Sequence, residues 1–524
     1  MTTYDAIIVG GGHNGLVAAC YLARAGKRTL VLERYHTIGG AAITEEIHPG
    51  FRVSVASYSM SLMRPEIIDE LQLPNYGFEV YPKSPSYFMP FPDGEHLFLY
   101  AGDRERSKQS IARFSQKDAA SYDAWEDFWD RCCDIIEPTL MQPPISLAEL
   151  AQRFDNAGQA DDFRRLMLLS TTDLLNEFFE SEYVRATMAP QALISTMAGP
   201  ATPGTPYVFL VHAIGRAIQG RRGIWGYVKG GMGTVTRTLA AAARDLGVTI
   251  RTEAPVAELL VQGGVATGVM LESGEIIHAR VVLSNADPRR TFLGLTPASA
   301  LPAEFRRRIE HNYRIGGTVF KLNLALAELP RYTAAPTGLA PEICSRATVD
   351  IAPTLGYLER AWGDFKAGQP SREPFIEIFS QSPTDPSMAP PGQHVLSCFC
   401  QYFPYEVPGR SWDDGLREQI ADRILAKLAE YAPNMRGAVI ARQMLAPVDL
   451  ERRFGLTGGN IFHGEITPDQ AFNLRPLAGY ADYRTPVPGL YLCGSGAHPG
   501  GGVTGIPGHN AAQVVIADLD RGLG

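Results

Sequence analysis

A short β-branched run from Tyr4 to Val9 ends in glycines, and Gly10-x-Gly12-x-x-Gly15 follows it directly. Leu16 to Ala25 then reads as a small-residue helix stopped by Gly26, and Arg28 to Glu33 reads as a second strand. Strand, glycine turn, helix and strand in such close order predict half of a doubly wound α/β unit, with a parallel sheet buried on both faces. Each glycine has its own work in that spacing: a tight turn, a close approach of backbone to pyrophosphate, and helix-to-sheet packing.

The spacing alone also arises in ordinary turns, and this chain has 52 glycines. Its context carries more weight. Glu33 ends the second strand, close to the roughly 20-residue offset at which a carboxylate accepts from adenosine ribose hydroxyls. Gly39 and Gly40 follow, where a further backbone approach to a cofactor needs residues without a Cβ. Near the end, GLYLCGSGAHPGGGVTGIPGHNAA is again a strand that ends in glycines and opens a helix, a second ring of backbone N–H donors.

The 524 residues are enough for two to three domains, and 45% hydrophobic with 20% charged residues is ordinary for a globular protein. A net charge of -8 supplies no field for phosphate backbones, so no nucleic-acid partner is expected. The seven cysteines show no C-x-x-C spacing, which argues against a disulfide framework, a redox pair or a metal site. A first strand at Tyr4 leaves no room for a signal peptide, so the expected location is cytoplasmic. Two stretches without Asp, Glu, Lys or Arg, residues 186–215 and 489–517, are broken by prolines and glycines and are not expected to span a membrane; peripheral membrane contact stays open.

The nucleotide-binding texture is interrupted twice. It is expected over residues 1–71, 227–287 and 445–524, with a substrate domain over 72–226 and 288–444. The first insertion has helical patterns such as Phe163, Met167, Leu174, Leu175, Phe178 and Phe179. The second has strand-like runs at Val319 to Leu324 and Phe375 to Phe379 and a helix from Asp413 to Tyr431.

Several segments together resemble the phytoene-desaturase-like branch of FAD-dependent oxidoreductases, including its desaturase-like β-carotene ketolases: IIVGGGHNGLVAACYLARAG, VLER, IGGAA, YVKGGMGTVTRTLAAAARDLGVTIRT, LSNADP and the closing glycine segment. The resemblance spans almost the whole chain. It implies a Rossmann-like FAD-binding domain of α/β class, discontinuous in sequence, with an inserted α+β substrate domain. It places Gly10, Gly12 and Gly15 at the pyrophosphate, with His13 and Asn14 between them, and Glu33 at the ribose with Arg34 beside it. Gly39, Gly40 and Ala41 would lie beside FAD, Val256 at the adenine, and Gly494, Val503, Thr504 and Ile506 along the ribityl chain and ring. Many relatives carry an acidic residue after the glycine of the closing strand; here Gly494 is followed by Ser495, so backbone amides or Ser495 must replace it.

A flavin performs the electron transfer itself, so the chain has to orient a substrate and exclude water. His463 and His498 are the polar candidates for the flavin face, though each reads more readily as a hydrogen-bonded structural histidine. The uncharged stretch offers Tyr207, Phe209 and Leu210 as lining for an apolar pocket, or as an ordinary buried helix. The leading expectation is an FAD-dependent oxidoreductase acting on an apolar, polyene or isoprenoid-like substrate, by dehydrogenation, ketolation, isomerisation or saturation; the electron acceptor stays open, with oxygen and a quinone among the options. An oxidase of amines or other small polar molecules, and a non-catalytic regulatory flavoprotein, remain the alternatives.

Overall fold

The computed structural model describes residues 4–522. The strand Tyr4–Val9 lies between Thr29–Leu32 and Ile276–Ser284, parallel to both, and Thr249–Arg251 and Leu490–Leu492 extend the sheet in parallel on either side. The hairpin Val256–Gln262 and Val265–Leu271 continues it antiparallel from the start of Ile276–Ser284. Ile7, Ile8, Leu30, Val31, Val281 and Val282 are wholly buried. At about 1.5–3 kcal/mol for each such side chain, this two-faced burial is what holds the sheet between its helices.

The first helix begins at His13, earlier than the expected Leu16, because Gly12 takes the extended cap conformation at φ -73°, ψ 171°. Gly15 therefore sits inside the first turn. A Cβ there would meet the Gly10 carbonyl oxygen at 2.3 Å, so the third glycine is a packing requirement. The last helix, Ile506–Asp520, lies against the first, and a Cβ at Gly508 would stand 2.0 Å from the Asn14 carbonyl oxygen. The two ends of the chain are thus joined at one site.

A second seven-stranded sheet runs Val439–Leu445, Val319–Leu326, His394–Gln401, Phe375–Phe379, Thr348–Ile351, Tyr87–Pro90, His96–Leu99. One face, with Phe320, Leu322, Ile376, Ile378 and Cys398, packs on the helix Asp414–Tyr431. The other face turns towards a helical lobe around the long helix Gln116–Ile136. The pattern from Phe163 to Phe179 is two helices, Ala160–Leu168 and Thr171–Phe178, because Ser170 leaves the helical path and caps the second by accepting from the Asp173 N–H. Ile43, Phe51 and Val53 pack with this lobe, and Phe292, Phe305 and Ile309 pack with the parallel sheet. No described helix is long and apolar enough to cross a membrane.

Candidate functional site

A cavity of about 580 Å³ opens at the C-terminal ends of the parallel strands and runs on to the second sheet. Gly10, Gly12, His13 and Asn14 line its start, and Gly12, as helix cap, supplies no side chain to the first-turn N–H groups. Those donors remain for an anionic group. A Cβ on Gly12 would meet only the Asn285 Nδ2 at 3.0 Å; otherwise the space beside it is free. The Gly39 N–H donates to the Gly11 carbonyl at 2.9 Å, which binds the second glycine pair to the first loop, and Gly40 and Ala41 continue the wall.

Glu33 is buried at the end of the second strand, where its carboxylate accepts from the Gly11 N–H and the Tyr35 N–H, both at 2.8 Å. Burial raises its pKa, opposed by these two bonds. A carboxylate has about four acceptor positions, so two remain for ribose hydroxyls. Arg34, Ala254, Val256 and Glu272 complete this end. From the closing segment, Ser495, Gly502 and Val503 line the middle, and the His13 ring bonds the Gly502 carbonyl at 3.1 Å. His13 is neutral, burial having taken it down to about 4. Asn285, after the strand Ile276–Ser284, holds the Gly10 carbonyl at 3.1 Å; the LSNADP segment held it in plain view, but nothing local marked its role.

Other expected residues stand behind the wall. Gly15 and Gly494 pack backbone on backbone, a Cβ on Gly494 meeting the Asn285 carbonyl oxygen at 2.6 Å. Thr504 caps the Ile506 N–H, and Ile506 is buried among the helical lobe. His463 lines the cavity with its Nδ1 buried and unpartnered, and burial lowers its pKa. His498 is not on the wall: its ring faces the Thr139 carbonyl at 3.4 Å, and burial takes it down to about 4. It is a structural histidine.

Tyr207, Phe209 and Leu210 also miss the cavity. The helix Pro206–Ala213 turns them into the helical core, where Phe209 stacks on Trp129 with centroids 4.2 Å apart. The uncharged stretch reaches the wall instead through Gln191, Ile194 and His212. With Trp225 they face Tyr58, Lys83, Tyr87, Thr348, Glu377 and Phe379, a polar group that no sequence pattern marked because its strands are buried on both faces.

Residues 15–516 match the model of the flavin containing amine oxidoreductase family. The chain is 42% identical to the rat pyridine nucleotide-disulfide oxidoreductase domain-containing protein 2, over 98% of this chain and 94% of that protein. It is 26% identical to a lycopene-forming phytoene desaturase of a Paracoccus strain, over 98% and 97%. Cyclohexylamine oxidase from Brevibacterium oxydans shares the fold, with a TM-score of 0.59 at 16% identity over 99% of this chain and all of that one. A glycine loop with open space beside Gly12, free helix-start donors and a half-satisfied carboxylate fit a flavin dinucleotide. The chain belongs to the flavin containing amine oxidoreductase family and is an FAD-dependent oxidoreductase.

Proposed function

We propose that the protein oxidises an apolar, isoprenoid-like substrate in the part of the cavity that joins the two sheets. The observation that carries this reading is the continuity of one cavity from the glycine loop to a wall of Met60, Leu62, Ile194, Ile461, Phe462 and Phe379. Bound FAD supplies the acceptor for the substrate's electrons. Gly10, Gly12, His13 and Asn14 would hold the pyrophosphate, Glu33 the ribose, Val256 the adenine, and Ser495, Gly502 and Val503 the flavin half. The apolar part of this wall would exclude water and orient the substrate carbon. Residues 72–226 and 288–444 form the substrate domain on this reading, since Lys83, Ile194, Thr348 and Phe379 come from them.

The amine-oxidase alternative draws on Tyr58, Tyr87, Trp225 and Phe379, aromatic side chains on the same wall. Lys83 weakens it. Its ammonium lies 4.3 Å from the Phe379 ring centroid and so occupies the cation–π face that a substrate ammonium would use. An anaerobic screen of polyenes, isoprenoids, amines and aldehydes for flavin bleaching, then re-oxidation with oxygen or a quinone, tests the reading. Bleaching by isoprenoid compounds is expected. Bleaching by amines alone overturns it, and no bleaching by any compound favours a regulatory flavoprotein.

A further inference from the structure

The second sheet carries a row of buried ionisable groups on the face that looks into the cavity. Lys321 is paired across strands with Phe399, Phe399 with Glu377, and Glu377 with Asp350. All four are almost wholly buried. Thr348, on the same face as Asp350, is the parallel partner of Tyr87, and Lys83 reaches in from the preceding loop to donate to the Thr348 hydroxyl at 2.9 Å. Burying so many charges is costly unless each finds partners.

The partners are unevenly distributed. Both Glu377 oxygens are engaged, one by the Tyr58 hydroxyl at 2.8 Å and one by Gln191 Nε2 at 2.9 Å. Lys83 has one acceptor for three N–H donors, with the Phe379 ring at 4.3 Å and the Tyr227 ring at 4.9 Å from the ammonium. Lys83, Tyr87 and Thr348 all line the cavity. What this wall offers a ligand is therefore an excess of donors around one cation. Burial and the neighbouring Glu377 raise Asp350 well above its ordinary range, and burial lowers Lys83.

We propose that this wall is a subsite for the carboxylate of an apolar acid, held by Lys83 Nζ together with the Tyr87 and Thr348 hydroxyls. The inference rests on the apolar-substrate reading and narrows it: the substrate is an apolar skeleton that ends in a carboxylate. A carboxylate satisfies the spare Lys83 donors at the strength of a charge-assisted hydrogen bond. An alcohol oxygen accepts from the same donors without charge, as the weaker neutral acceptor. An ammonium meets like charge with its aromatic face already taken.

The test is calorimetric titration of the FAD-loaded protein with geranate, geraniol and geranylamine, three head groups on one isoprenoid skeleton. Below the Lys83 value of about 7, geranate should bind about tenfold tighter than geraniol. Lys83→Met should abolish that preference while FAD content is retained. If the variant fails to fold, the wild type decides. Its geranate preference should fall as pH rises above about 7, where Lys83 loses its proton against Glu377, Asp350 and the Tyr227 and Phe379 rings. Geraniol binding as tightly as geranate below that pH overturns the subsite and leaves the apolar reading standing, and so does an unchanged preference in a folded Lys83→Met protein. Tightest binding of geranylamine, or no binding of any of the three, overturns both.

Discussion

The side-chain amide of Asn14 donates to the Ser495 hydroxyl at 3.1 Å, across 481 positions of sequence. This bond ties the first turn of the first helix to the closing glycine segment, the two places from which FAD would be held. Asn14 lines the cavity, and its Oδ1 is buried without a hydrogen-bond partner among the described residues. Ser495→Ala should weaken FAD about tenfold, the loss of roughly one buried hydrogen bond, and Asn14→Leu should weaken it further. Quenching of flavin fluorescence on titration into apoprotein measures this. Unchanged affinity in both variants would mean that the two ends pack together without sharing the cofactor.

Two glycines of one motif should fail differently. Gly12 has φ -73°, which valine can adopt, and the protein leaves room beside it. Gly12→Val should therefore fold yet carry no FAD, the branched side chain filling the space of the pyrophosphate. Gly15→Ala drives a Cβ against the Gly10 carbonyl oxygen and should lower stability by about 2 kcal/mol or more. The buried Cys398→Ser, far in sequence from the loop, should keep FAD. Thermal unfolding with flavin content separates the cases, and a flavin-loaded Gly12→Val would reduce the loop to a turn.

Phe209 packs on Trp129 and meets Trp125 edge-on at 5.4 Å, so its work is structural. Phe209→Ala should cost about 2 kcal/mol of stability and leave ligand affinity unchanged. Ile194→Ala, on the cavity wall and also buried in the helical core, should cost stability and weaken ligand binding as well. Denaturant unfolding and ligand titration of both variants check this; weaker ligand binding in folded Phe209→Ala would return that helix to the substrate site.

Why the cofactor half was legible and the substrate half was not follows from where the information lies. Gly10, Gly12, Gly15 and Glu33 act through backbone geometry set by near neighbours, so spacing reveals them. The bonds of Asn14 to Ser495 and of Asn285 to Gly10 are long-range, and only the likeness of whole segments pointed to them. Lys83, Thr348 and Glu377 meet through strands distant in sequence. Both faces of those strands are buried, so no alternation of polar and apolar residues set Lys321 or Glu377 apart from core. Tyr207 and Leu210 show the same limit: an uncharged stretch identified the segment, but helix rotation chose which residues face the cavity.

Among the described residues the Lys321 Nζ is buried without a hydrogen bond, with the Tyr58 ring at 4.2 Å and Glu377 as a neighbouring charge. Burial takes its pKa from 10.5 down to about 7. Between those values the unfolded chain keeps a proton that the folded chain has lost, so this group makes wild-type stability rise with pH across that window. Below about pH 7 the folded protein must carry the buried ammonium, and its cost is then complete. Lys321→Met removes that cost with a side chain of similar length and should stabilise by about 1 kcal/mol or more. The gain should be largest below pH 7 and shrink as pH rises towards 10.5. Denaturant unfolding of both proteins across that range measures it. A variant less stable than wild type at every pH would mean that Lys321 has partners in the folded state that offset its burial.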